Sequence, residues 1–236
     1  MPGWSGRAPA TIPGWGPGFA FGTWLGRRLF PSLFRLAFHQ LAYVPREGPC
    51  IMVSNHLSNF DPLITGSWLP RRCTFVGKTE LFSTPGIGWF CRMAGAVPVR
   101  RDGMDLAAVR TLLRVLARGG MIALYPEGTR SRAHALRRPV GGAAYLAVKA
   151  NAPLLPVGIL GTEQFGWNAW FRQGRFPVTV RFGPPFRIPA GADRSEGPDL
   201  DAIGDDIMRH IAALLPASYR GAYADAAGAP DWAARG

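Results

Sequence analysis

The chain has 236 residues and carries 27 Lys+Arg against 15 Asp+Glu, a net charge of +12. That length supports one sizeable core and is marginal for two domains. A basic surface suits nucleic acid, an anionic membrane or phosphorylated substrates, but zinc-finger spacing, an arginine-rich tail and an aromatic RNA-binding signature are all missing, so nucleic acid is set aside as a partner. Almost all of the basic excess is arginine, the only lysines being Lys78 and Lys149. GC-rich coding accounts for arginine over lysine and leaves the net excess unexplained.

From Ala8 to Gly26 the chain is uncharged but broken by prolines and glycines, among them Pro9, Pro13 and Pro17. Such a run makes a poor spanning helix and lacks the compact apolar core of a signal peptide. From Phe19 to Val44 bulky apolar residues are interrupted by Arg27, Arg28, Arg35 and His39. This predicts a helix, or a helix pair divided at Pro31, lying in a membrane interface or packed on the domain. Residues 1–45 are therefore expected to be an amphipathic helical extension at a membrane interface, residues 46–218 the folded domain, and 219–236 a loose Ala/Gly-rich tail.

Cys50–Ser54 reads as a buried strand, and Asp61–Leu69 as a short helix with Pro62 in its first turn and Asp61 as its cap. Thr74–Gly77 and Ala96–Val99 are strands, the second at an edge or bulge because of Pro98. Residues 102–118 have Leu106, Val109, Leu112, Leu113 and Leu116 at helical spacing, with Asp102 as cap and Gly119-Gly120 as stop. Met121–Tyr125 is a central strand, 140–150 a helix of small residues, Leu154–Leu160 and Val178–Phe182 are strands, and Leu200–Leu215 is a helix. Strands alternating with helices define an α/β class with both sheet faces covered. Cys50, Cys73 and Cys91 are odd in number and far apart, which reads as buried thiols in a reducing compartment and not as a disulfide framework or zinc site.

The chemistry concentrates in Asn55-His56-Leu57-Ser58-Asn59-Phe60-Asp61, just past the first buried strand. An imidazole held by a carboxylate is a general base near neutral pH. The two side chains can meet only if a turn or helix start lies between them, since five residues on a regular helix point away from the starting face. Taken alone, His56 is an ordinary loop histidine and Asp61 a helix cap. Three further segments follow: Gly95–Arg101, Tyr125-Pro126-Glu127-Gly128-Thr129-Arg130-Ser131, and Pro153–Gly158. In the second, Gly128 lets backbone approach a phosphate, Thr129 offers a hydroxyl and Arg130 a planar fork. Glu127 would repel a phosphate, so it either orients Arg130 or bonds a glycerol hydroxyl. A Gly-x-Ser-x-Gly elbow is lacking and no cysteine is near His56, which disfavours a covalent enzyme intermediate.

Together the four segments resemble the motifs of the glycerolipid acyltransferases, of which the 1-acylglycerol-3-phosphate acyltransferases are the familiar members; the resemblance covers roughly residues 48–185. It implies one domain with a largely parallel or mixed sheet of about six or seven strands flanked by helices. It implies an O-acyltransferase moving a fatty acyl group from acyl-coenzyme A or acyl carrier protein to 1-acylglycerol-3-phosphate, giving phosphatidate. His56 and Asp61 would then be catalytic. Arg100 (with Arg101 as competitor), Glu127, Gly128, Thr129 and Arg130 would bind the acceptor phosphate, and Asn55 and Pro156 would support the site. No cofactor and no metal are expected, the thioester being a substrate. Phe82, Ile87, Trp89 and Phe90 are candidates for an acyl slot. Residues 15–44 are expected to attach the enzyme to the cytoplasmic face of the cell membrane, peripheral or monotopic, against an anionic surface. One departure is that a Phe-Lys-x-Gly stretch common in the family is replaced by Arg138-Pro139-Val140-Gly141, so Arg137 or Arg138 would have to supply that charge. Another lysolipid or polar-lipid acceptor, a hydrolase, and a catalytically silent lipid-binding protein are the alternatives.

Overall fold

The computed structural model describes residues 17–100, 105–131, 133–188 and 199–226. The N-terminal part comprises α1 (Pro17–Leu33), β1 (Phe34–His39), β2 (Cys50–Ser54), α2 (Asp61–Trp68), β3 (Cys73–Lys78), α3 (Thr79–Ser83), α4 (Ile87–Met93) and β4 (Val97–Val99). There follow α5 (Leu106–Ala117), β5 (Met121–Leu124), α6 (Gly142–Ala150), β6 (Leu154–Leu160), α7 (Trp167–Gln173), β7 (Phe176–Phe182), α8 (Leu200–Ala212) and α9 (Ala217–Arg220). The strands form one seven-stranded sheet in the order β1-β7-β6-β2-β5-β3-β4. Only β6 and β7 pair antiparallel. The expected α/β class and strand number are therefore observed, with β4 at the edge as Pro98 implied.

Alternation along the strands sends side chains to two cores. On β2, Ile51 and Val53 join Leu112, Leu116, Leu146 and Ile207 beneath α5, α6 and α8. Cys50 and Met52 join Ile64, Phe34 and Phe182 on the other face, covered by α1, α2 and α7. Each fully buried aliphatic side chain stabilises this sandwich by about 1.5–3 kcal/mol. Cys50 and Cys73 are both buried free thiols, and burial pushes the Cys50 thiol up to about 12.

Several expectations are corrected. Phe34–His39 is a strand, pairing with Phe176–Arg181 in parallel register. Phe34, Leu36 and Phe38 alternate onto the core, a period-two signal hidden in a segment equally apolar at helical spacing. The extension expected over 1–45 therefore contributes a sheet strand to the domain, and Pro31 lies inside α1 near its end instead of dividing two helices. Residues 1–16, Arg101 and Asp102 lie outside the described residues. The cap of α5 is Asp105, whose carboxylate accepts the Ala107 and Ala108 N–H groups at 3.1 Å. The tail is not loose through 219–226: Tyr223 is buried against α8, and Arg220 donates to the Leu215 and Ala226 carbonyls. Residues 227–236 lie outside the described residues.

One property of this topology positions the chemistry. β2, β3, β4, β5 and β6 all run in the same direction, so their carboxyl ends share one edge of the sheet. Asn55 follows β2, Arg100 follows β4, Tyr125 follows β5 and Gly161 follows β6. In open parallel sheets ligands bind beyond that edge, where loops leave strands for helices.

Candidate active site

β2 ends at Ser54 and the chain turns through residues 55–60 before α2 begins. That turn supplies the reversal the His-Asp spacing demands. His56 Nδ1 lies 2.8 Å from Asp61 Oδ2. Because a carboxylate only accepts, Nδ1 carries a proton, and in the neutral imidazole Nε2 is the nitrogen with the free lone pair. Nε2 has no hydrogen-bond partner among the described residues, and the His56 side chain is 13% exposed.

Asp61 is fully buried. Its Oδ2 also accepts the Leu57 and Ser58 N–H groups at 2.7 and 2.8 Å, and its Oδ1 accepts the Thr162 hydroxyl at 2.5 Å. The expectation that Asp61 caps α2 is thus corrected. It is the first residue of that helix, and its carboxylate folds back onto the preceding loop, because the loop N–H groups and the imidazole converge there. Asn55 supports the arrangement through both ends of its amide: Nδ2 donates to the Ile159 carbonyl and Oδ1 accepts the Ile159 N–H, each at 2.8 Å.

The Tyr125–Ser131 segment cradles His56. The imidazole stacks on the Tyr125 ring, centroids 4.0 Å apart at 17°. The His56 N–H donates to Glu127 Oε1 at 3.3 Å, and the His56 carbonyl accepts the Ser131 N–H at 2.8 Å. Glu127 Oε2 accepts the Arg137 N–H at 3.2 Å. The expected contact between Glu127 and Arg130 is not made. The Glu127 carboxyl is turned inward, 4% exposed, and burial pushes its pKa up to about 7. Its physical task is to tie the His56 loop to the 136–140 loop. Gly128 turns the chain with φ +68°, a conformation most side chains resist. Thr129 is half-buried, and Arg130 is exposed beside this turn.

Arg100 is also exposed, its guanidinium 3.9 Å from Asp105. Its strand lies three places from β2 in the sheet, roughly 14 Å at normal strand spacing, so only a long side chain reaches toward His56 from there. Arg138 leans on Asp205 at 3.8 Å, and Arg137 is exposed, with its backbone N–H held by Glu127. Pro156 is buried within β6, opposite Val53. Trp89 is 61% exposed, whereas Phe90 on the same helix faces Gly22 of α1, so these two of the expected acyl-slot residues do not share one wall; the Ile87 side chain lies outside the described residues. Sequence reasoning missed Thr162, whose only signal is the Gly161-Thr162 pair just past β6, and the stacking of Tyr125 on His56.

The mostly parallel α/β sheet thus holds a buried aspartate and the histidine it bonds just beyond its carboxyl edge, where ligands bind in such sheets. A family model described as Acyltransferase matches residues 35–160, and the chain belongs to that family. It is 31% identical over 142 residues to a chloroplastic 1-acyl-sn-glycerol-3-phosphate acyltransferase of Brassica napus, covering 59% of this chain and 41% of that one. It is 29% identical over 163 residues to the 1-acyl-sn-glycerol-3-phosphate acyltransferase alpha of Bos taurus, covering 64% of this chain and 57% of that one. The chain spans about half the length of the curated relatives it matches. In fold it is similar to the crystal structure of the 1-acyl-sn-glycerophosphate acyltransferase PlsC from Thermotoga maritima, with a TM-score of 0.63 and 24% identity over 83% of this chain and 79% of that one.

Proposed function

We propose that this protein is an O-acyltransferase that moves a fatty acyl group from an acyl thioester to the free hydroxyl of 1-acylglycerol-3-phosphate, giving phosphatidate. The observation that carries this reading is the His56–Asp61 pair with Nε2 unpartnered. An alcohol is a poor nucleophile at neutral pH and needs a base in the transition state. Nε2 takes the hydroxyl proton as the oxygen attacks the thioester carbonyl. The C–O bond forms, the C–S bond breaks, and the departing sulfur takes the proton back from the imidazolium. Asp61 stabilises that imidazolium and holds its tautomer. Arg100 and Arg130, with the Gly128-Thr129 turn, bind the acceptor phosphate, and Arg137 adds charge. Acyl-coenzyme A or acyl carrier protein is the donor.

The site works at the cytoplasmic face of a membrane. α1 turns Phe21, Trp24 and Arg28 outward, Phe21 and Trp24 each 52% exposed, whereas the Arg27 guanidinium donates to the Ser67 carbonyl of α2 at 2.6 Å. Aromatic residues followed by an arginine suit an anionic interface. No described helix is long and apolar enough to cross a membrane. Because β1 belongs to the sheet, truncation through residue 44 would damage the domain, so the test is liposome flotation of Phe21→Ser/Trp24→Ser. Binding equal to wild type would refute this placement.

The reaction is tested by offering lysophosphatidate in mixed micelles with each donor to wild type and to folded His56→Ala. Phosphatidate from wild type and almost none from the variant is expected. Equal product from both overturns His56 as base, and an untouched donor overturns the acceptor assignment.

A further inference from the structure

We propose that Thr162 is a positioning residue of the dyad, holding the Asp61 carboxylate and through it setting the proton affinity of His56. The idea rests on the acyl-transfer reading for its kinetic consequences, and on geometry alone for its physical ones.

Of the two Asp61 oxygens, Oδ2 is engaged by His56 and two backbone N–H groups, all from the same short loop. Oδ1 takes its hydrogen bond from Thr162, 101 residues further along the chain, at 2.5 Å. Thr162 is 1% exposed and Asp61 0%, so no water can replace the hydroxyl without a local opening. A hydroxyl is the right donor here. It is neutral, so it steadies the carboxylate without competing with the imidazolium for its charge.

The chain is built to deliver this hydroxyl. β6 ends at Leu160, and Asn55 clamps Ile159 through both its backbone groups at 2.8 Å, tying the end of β6 to the residue before His56. Gly161 then turns with φ +90°, and a Cβ there would lie 2.0 Å from the Pro177 carbonyl oxygen. Only glycine allows the turn at this close approach to β7, and Thr162 follows it at the start of a 3₁₀ turn. The functional weight of the fourth segment therefore falls past Pro153–Gly158, on Gly161 and Thr162.

Removing the hydroxyl leaves Oδ1 buried and without its donor. The carboxylate charge is then less dispersed and attracts the imidazolium more strongly. The imidazolium should therefore persist to higher pH than in wild type, leaving less free base on the acid side. The stacked Tyr125 ring and the buried Glu127 carboxyl also face His56, so the test compares wild type, Thr162→Val, Thr162→Ala and Thr162→Ser in the full chain by NMR titration of the His56 imidazole itself, which separates it from those groups, and by the pH profile of kcat/KM for transfer.

The Val and Ala variants should raise the His56 midpoint and move the acid limb of the profile upward together, and Ser, which keeps the hydroxyl, should restore both. Midpoints unchanged in the Val and Ala variants overturn the proposal, as does a Ser variant that behaves like Val. A profile lowered uniformly with no movement of its limb also overturns it, because that is the signature of packing alone. Should wild type transfer no acyl group at all, the reaction assignment fails, yet the NMR midpoints still decide the role of Thr162.

Discussion

Glu127 makes a sharp prediction because its carboxyl is buried while tied to the backbone of His56. Burial lifts its pKa from 4.5 to about 7. A carboxyl whose folded pKa lies above its unfolded one holds its proton more tightly in the folded state. Its stabilising contribution is complete below pH 4.5 and is lost as pH rises through about 7. A rise of about 2.5 pH units at about 1.36 kcal/mol each corresponds to about 3 kcal/mol. For a chain of this size that is about 10 °C in Tm. Glu127→Gln removes the titration. Its amide accepts only through one oxygen, so either the His56 or the Arg137 N–H loses its partner, at about 1–3 kcal/mol independent of pH. Urea unfolding of both proteins between pH 4.5 and 8 should therefore show wild type losing about 3 kcal/mol relative to the variant as pH rises. A stability difference constant across that window would refute the inward, buried placement of this carboxyl.

The remaining predictions concern the dyad and the chain around it. Asp61→Asn should fold but lose about 10³–10⁴-fold in transfer rate, because an amide can present its NH₂ to Nδ1 and fix the wrong tautomer; circular dichroism with the transfer assay checks it, and a loss under about tenfold would count against the dyad. Gly161→Ala should cost about 3 kcal/mol or more, read as a lower urea midpoint, since it meets both an unfavourable φ and the Pro177 carbonyl. Arg71 donates to the Pro45, Gly48 and Gly119 carbonyls at 3.1, 2.8 and 2.7 Å, so Arg71→Met should cost about 3 kcal/mol; an unchanged midpoint would show these bonds to be exchanged for water.

Local pattern alone determined much of this protein. The apolar run Cys50–Ser54, the helical spacing within Leu106–Leu116 and the alternation of strands with helices specify elements that short-range propensity and burial both favour, and these are the elements observed. The His56–Asp61 pairing was legible only alongside the three further segments, with Pro62 marking the helix start that lets residues five apart meet. Tertiary structure decided what depends on partners distant in the chain. Phe34–His39 is as apolar at helical spacing as at strand spacing, and only β7 makes it a strand. Glu127 sits in an exposed-looking turn, and it faces inward because the His56 and Arg137 N–H groups need acceptors there. Asp61 leaves the helix cap for the loop, and Thr162 reaches it from the far end of β6. A hydrogen bond between residues about a hundred positions apart leaves no periodicity to read; it exists only once parallel strands bring their carboxyl ends to one edge.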